Sequence, residues 1–288
     1  MATLREIQRR IKSVKNTQQI TKAMKMVSAA KLRRAQENIV AARPYADKVK
    51  DLVAALEEGT MPENHKLLSK GSDKPAKKAE LILLTSDRGL CGGFNSYLIR
   101  MVERFMREHP ELDCTVSIVG RRALDHFKGR SEVTGRRHFG SGRPDFNLAE
   151  EIAGDAVASY LEDSSDEVYL VYSTFQSALT QTPVIQKLLP IIPDNSEKEA
   201  LDSFLFEPSP EAVLDVLLPK YVEVQVFRAL LESSASEHGA RMTAMDSASK
   251  NASEMIGGLT LIYNRARQAA ITKELLEIIS GAEALKDN

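Results

Sequence analysis

LREIQRRIKSVKNTQQITKAMKMVSAAKLRRAQENIVAAR, residues Leu4–Arg43, contains neither glycine nor proline. Its apolar residues recur at helical spacing. Leu4, Ile7, Ile11 and Val14 begin a 3-4 repeat, and Leu32, Ala35, Ile39, Ala42, Ala46, Val49, Val53 and Leu56 resume it in the same frame. Such a repeat is the seam of a coiled coil. In between, the frame passes through Gln18, Thr21, Lys25 and Ser28, and the apolar stripe is expected to step sideways to Ile20, Met24 and Val27. There the helix is expected to turn Met24 and Lys25 away from a two-helix seam, toward enclosing chains. The first glycine is Gly59. One helix of about 55 residues, roughly 80 Å long, is therefore expected, with Pro44 as its kink site.

The other terminus reads the same way. No proline follows Pro219. Met245, Ala248, Ala252, Met255, Leu259, Ile262, Ala266 and Ala269 keep the 3-4 spacing, and the frame then shifts to Ile271, Leu275, Ile278, Ala282 and Leu285. A helix starting near Glu211 would hold about 75 residues over roughly 110 Å. Gly239, Gly257 and Gly258 each cost about 1 kcal/mol against alanine. They mark either close helix approach or tolerated small residues. Neither terminal helix can bury its stripe alone, and propensity contributes little. Packing the two ends against each other, antiparallel, solves both problems. The alternative, each helix lying on the middle of the chain, is hard at these lengths. A globule of about 150 residues has a radius of gyration near 15 Å.

The middle is chemically different. Residues 1–50 carry 13 Lys/Arg and 3 Asp/Glu, whereas residues 51–227 carry 19 and 29, so a basic helix meets an acidic middle. Fourteen of the 16 Phe and Tyr residues, and ten of the 11 prolines, fall in that middle. Strands are expected at 80–85, 114–119 and 167–175, with further ones at 132–139 and 182–189. Helices are expected at 96–107, 122–127 and 148–161. Strands alternating with helices imply a Rossmann-like α/β domain with a mostly parallel sheet. Residues 60–79 have linker composition. The expected organisation is an N-terminal coiled-coil helix over 1–58, a linker over 59–79, a central α/β domain over 80–208 and a C-terminal coiled-coil helix over 209–288.

Composition excludes several classes. The chain has 288 residues, 43% hydrophobic and 27% charged, with a formal net charge of −1. That is not the composition of a disordered chain. No apolar run approaches the roughly 18 residues that span a bilayer. The basic start is followed by no apolar signal core. Two cysteines do not make a disulfide framework and suit a reducing compartment.

The chemistry-bearing residues are sparse. Gly89-Leu90-Cys91-Gly92-Gly93 follows a strand and precedes a helix, where a phosphate could sit. Its spacing is neither G-x-G-x-x-G nor a P-loop, and a tight βα turn is the preferred reading. Asp87 and Arg88 read as pairing or helix-capping residues, with catalysis as the lesser reading. Cys91, at a helix start, could have a lowered pKa, but a structural thiol is the preferred reading. The five histidines show no metal spacing, and no Ser/His/Asp arrangement is evident. No catalytic residue, cofactor or metal ligand is assigned. The basic helix could bind nucleic acid, an acidic protein that surrounds it, or only solvent.

Three separate stretches together resemble the gamma-subunit family of F-type ATP synthases: IQRRIKSVKNTQQITKAMKMVSAAKLRRAQ (Ile7–Gln36), TSDRGLCGGFN (Thr85–Asn95) and YNRARQAAITKELLEIISGAEA (Tyr263–Ala284). Within the last, Ile271, Thr272, Glu274, Glu277, Gly281 and Ala282 keep the family's signature spacing. Cys91 and Cys114 do not form the dithiol insert of chloroplast members, and the start on the first helix resembles bacterial members. The resemblance implies a non-catalytic rotor shaft inside a ring of three alpha and three beta subunits. It implies further contacts to the epsilon subunit and the ring of c subunits, no cofactor, no nucleic acid, and a peripheral place on the cytoplasmic face of the bacterial inner membrane. It also implies that Met24 and Lys25 face a moving acidic segment of beta. By the same resemblance Arg267, Gln268 and Thr272 catch a beta loop near the shaft top, and Phe204 to Glu207 lie near the c-ring foot.

Overall fold

Two very long helices bracket a five-stranded α/β unit in the computed structural model, which describes residues 3–59, 66–68, 76–129, 133–137, 144–192, 207 and 209–284. The elements are α1 (Leu4–Gly59), β1 (Lys78–Leu84), α2 (Phe94–Glu108), β2 (Asp113–Val119), α3 (Arg121–His126), β3 (Val133–Arg137), α4 (Phe146–Leu161), β4 (Glu167–Phe175), β5 (Gln181–Leu189) and α5 (Pro210–Ala284). A short 3-10 turn at Lys66–Leu68 lies between α1 and β1.

Both long helices start where their sequences supply caps. The Thr3 amide donates to Glu6 Oε2 at 2.8 Å and the Glu6 amide to Thr3 Oγ1 at 3.3 Å, a reciprocal capping box at the head of α1. Ser209 Oγ accepts the Ala212 amide at 3.3 Å, and Pro210 occupies the first turn of α5, where its missing N–H costs nothing.

The sheet order is β3-β2-β1-β4-β5. β1, β2, β3 and β4 run parallel and β5 antiparallel to β4. The expected mostly parallel sheet is therefore present. The central strands β1, β2 and β4 are apolar on both faces because helices cover both. Ile82, Leu84, Val168 and Leu170 face one core with Ile152 and Ala156 of α4 and Leu214, Leu218, Val222 and Val226 of α5. Leu81, Leu83, Val116 and Ile118 face the opposite core with Phe94, Leu98 and Val102 of α2. Gly120 ends β2 at φ +106°, and a Cβ there would sit 2.0 Å from the Thr85 carbonyl oxygen. Only glycine fits that crossing.

The chain divides into two compact units. One comprises residues 1–27 with 242–288, the other residues 28–241. The first contains the amino-terminal half of α1 and the carboxy-terminal half of α5. The second contains the sheet, its covering helices, the rest of α1 and the first 32 residues of α5.

Candidate functional site

The terminal unit is a helix pair. Its direction follows from its membership and one contact: Lys25, near the end of the α1 portion, meets Asp246, near the start of the α5 portion. Residues earlier in α1 must then lie beside residues later in α5, so the pair is antiparallel. Along α1 the positions withdrawn from solvent include Leu4, Ile7, Ile11, Val14, Gln18, Thr21, Lys25 and Ser28, followed by Leu32, Ala35, Ile39, Ala42, Ala46, Val49 and Val53. This is an unbroken heptad frame.

The sideways step expected in the middle of α1 does not occur. Ile20, Met26 and Val27 are more than half exposed, whereas Thr21 and Ser28 are buried. Two polar residues stay on the seam with partners: Thr21 Oγ1 donates to Gln18 O of its own helix at 3.0 Å, and Lys25 reaches across to α5. Lys25 Nζ donates to Asp246 Oδ1 at 2.5 Å, and Asp246 Oδ2 also pairs with Lys250 at 3.0 Å. The two lysines hold the Asp246 carboxyl below its usual pKa, Lys25 first. Lys25 thus faces α5, which corrects the expectation that it points away from the seam, and Met24 is half-buried rather than fully outward. The outward apolar residues at this level are Ile20, Met26 and Val27.

The seam of α5 is displaced in part from the expected frame. Met245, Ala248, Ser249, Ala252, Ile256, Leu259, Tyr263, Asn264, Ala266 and Ala270 are at least partly withdrawn, so Met245, Ala248, Ala252, Leu259 and Ala266 of the expected frame hold, while Met255, Ile262 and Ala269 are exposed. Beyond Ala252 a 4-3 alternation has replaced the 3-4 one. The two differ by one residue, or about 100° of rotation, at every second contact. No position is withdrawn between Ile271 and Ser280. Residues 271–280 are exposed on every side, including Ile271, Leu275, Leu276, Ile278 and Ile279 at 50–68% of their full surface. Arg267, Gln268 and Thr272 are exposed as well. A bare apolar helix end of this kind marks an interaction surface.

In the larger unit, the Gly-rich turn has a structural job. Leu90 at φ 63° and Gly92 at φ 58° fold it so that its carbonyls meet α5. Arg241 Nη2 donates to Arg88 O at 3.2 Å and Arg241 Nε to Gly89 O at 3.4 Å. Arg241 is itself held by Glu237 at 2.5 Å, and its Nη1 donates to His238 Nδ1 at 3.2 Å. Burial, then the Arg241 and Lys31 charges, lowers the His238 pKa to about 4. A neutral ring leaves Nδ1 free to accept. Burial raises Glu237, partly offset by Arg241. The turn is occupied as a clamp on α5.

Asp87 caps a helix and Cys91 is a buried structural thiol, the preferred readings of the sequence. Asp87 Oδ1 accepts the Arg121 amide at 2.9 Å, so it serves the first turn of α3 rather than of α2. Cys91 is buried among Ser86 and Asn95, and burial raises its thiol pKa instead of lowering it. Gly239 is a close approach, with a would-be Cβ 3.4 Å from Ala178 O in the β4–β5 turn; Gly257 and Gly258 face open space. Glu207 is exposed, and Phe204 lies outside the described residues.

Asp246 and Arg241 are the contributors sequence reading missed. Asp246 announced itself only as a lone acid between two lysine-bearing faces. Arg241 was the one long cation in a helix stretch of Ala, Ser and Gly.

A family model described as ATP synthase matches residues 3–285. A protein named ATP synthase gamma chain from Geobacter metallireducens is 53% identical over 99% of this chain and all of its own length. One of the same name from Moorella thermoacetica is 50% identical over the same shares. Among solved structures, the central stalk and c-ring of the Tetrahymena thermophila mitochondrial ATP synthase contains a chain 27% identical. It matches 80% of this chain and 99% of its own length at a TM-score of 0.63. A chain of the Euglena gracilis mitochondrial enzyme, 23% identical over 98% of this chain and 94% of its own, has a TM-score of 0.69 and shares the fold.

Proposed function

Because this chain belongs to the ATP synthase gamma-chain family, we propose that it is the central rotor shaft of a proton-translocating F-type ATP synthase. It carries no catalytic residue of its own. ATP is made and hydrolysed on the beta subunits of a ring of three alpha and three beta chains, and this chain also meets the epsilon subunit and the ring of c subunits. Among the described residues no helix is long and apolar enough to cross a membrane. Attachment to the cytoplasmic face of the bacterial inner membrane is therefore peripheral, through the complex.

The observation that carries this reading is the terminal helix pair with its bare end. Two unequal helices have no threefold symmetry. Three chemically identical sites around them meet different surfaces, among them the exposed face of α1, where basic residues surround Ile20 and Val27, and the exposed side of α5. Different contacts set different conformational equilibria and hence different nucleotide affinities. Rotation permutes those affinities, which couples ion flow to synthesis and regulates hydrolysis. The apolar tip at 271–280 supplies a surface that an apolar collar can hold while it turns. Arg267, Gln268 and Thr272 are the side chains we assign to a beta loop, and Phe204 to Glu207 to the c-ring foot.

Met24 and Lys25 provide the test. Lys25 contributes chiefly through Asp246, and half-exposed ion pairs contribute little. Met24→Lys adds a charge beside the outward surface. In the reconstituted complex, Met24→Lys should lower protons pumped per ATP hydrolysed more than Lys25→Ala does. Equal pumping ratios in the two variants would refute that ordering.

A further inference from the structure

A cavity of about 340 Å³ lies in the larger unit between residues 39–47 of α1, residues 220–232 of α5 and Phe146 at the head of α4. That volume falls at the lower end of small-molecule pockets, roughly 300–1,000 Å³. Tyr45, Phe146 and Phe227 supply three aromatic faces. Phe146 and Phe227 meet edge to face with centroids 5.4 Å apart, and Lys220 Nζ lies 5.4 Å from the Phe146 ring. A flat ring entering here would find both stacking and edge contacts.

The charges around the opening are unequally committed. Arg228 pairs with Glu232 at 3.0 Å and lies close enough to Asp47 to feel its charge. Lys220 is held by Glu223 at 2.6 Å. Arg43 makes no ion pair or hydrogen bond among the described residues. An uncommitted guanidinium beside aromatic walls matches a planar acid: the fork binds an oxyanion in two places and the ring fills the slot. The geometry points to a binding site for planar aromatic carboxylates or sulfonates, with Arg43 reading the acid and Tyr45 stacking on the ring. This site is independent of the rotor role, and its test needs no partner chain.

The full-length chain is titrated with 8-anilinonaphthalene-1-sulfonate and with N-phenyl-1-naphthylamine, which share a ring framework but differ in charge. The sulfonate should bind saturably, one per chain. Arg43→Gln should weaken the sulfonate about threefold to fivefold and leave the neutral dye within about twofold, the scale of one exposed charge contact. Tyr45→Ala should weaken both dyes to a similar degree. Both side chains are exposed, so circular dichroism and thermal unfolding should match the unaltered chain. Absence of saturable binding, or binding that neither variant changes, would overturn the site. Equal loss of both dyes in Arg43→Gln would overturn the acid-reading role.

Discussion

The two halves of α5 have one backbone geometry and opposite surroundings. Between Val222 and Arg241 the helix is buried on nearly every side: Val222, Val226, Ala229, Leu230, Ala235 and Ser236 are all within 1% of complete burial. From Met242 onward the withdrawn positions narrow to one stripe, and none of residues 271–280 is withdrawn. Large residues fill the first turns of this half, and small ones over Ser233–Ala240 let the sheet approach. Ser236 Oγ donates to Ser173 O at 3.0 Å, and Gly239 passes the β4–β5 turn. The second half keeps large apolar residues in the open. Continuous secondary structure thus carries two tasks. One end is fixed to a folded body by packing, and the other offers a surface whose partners must come from elsewhere.

The sharpest way to break this contrast is to place the same charge in each half. Ala235→Asp puts a carboxylate where exposure is 0%. It should lower unfolding stability by about 3–5 kcal/mol or prevent folding. Ala269→Asp sits on an exposed face and should stay within about 0.5 kcal/mol. Urea unfolding compares the two, and equal losses would mean that the halves do not differ as described.

A smaller effect sharpens the picture of the fixed half. His238 is held near pKa 4 when folded, against 6.5 ordinarily. Between these values the unfolded chain binds the proton and the folded chain does not, so stability falls as pH drops from about 6.5 to 4. The single group accounts for about 3 kcal/mol, and the raised Glu237 offsets part of it as the pH falls. His238→Gln keeps an acceptor for Arg241 and removes the titration. Its stability should be flatter across that range, measured as unfolding midpoints at several pH values. An unchanged slope would mean that His238 is not the titrating group.

The smallest effect concerns the free half. Lys25 and Asp246 place opposite charges on the two helices at one level of an otherwise polar stretch, a device that fixes register. Lys25→Asp and Asp246→Lys should each lower the thermal midpoint slightly. The doubly exchanged chain should recover it, unless Lys250 opposes the new lysine. No recovery with Lys250→Ala added would show the pair to be incidental.

Much of this arrangement was legible in the sequence, for reasons the residues make plain. β4 was read at its observed bounds because EVYLVYSTF is apolar, β-branched and aromatic between polar breaks. α1 was legible because forty residues without Gly or Pro admit little else. The seam through Gln18–Ser28 was not, since an apolar count treats polar seam residues as a break. Only the partner helix shows that Lys25 has Asp246 to meet. The Met255 and Ile262 frame failed because alternations of 3-4 and 4-3 share half their positions. The clamp on the Gly-rich turn was hidden because it joins Gly89 to Arg241 across 152 residues, and carbonyl acceptors leave no trace in side-chain identity.

The central claim is that the terminal pair turns within a ring of catalytic chains and does no chemistry itself. The direct measurement is single-molecule rotation of this chain, reconstituted with alpha and beta subunits and labelled on its α/β domain, while ATP is supplied. The account predicts stepwise rotation in thirds of a turn, set by the ring's symmetry, with hydrolysis tracking the steps. Full-rate hydrolysis with the label stationary would contradict it.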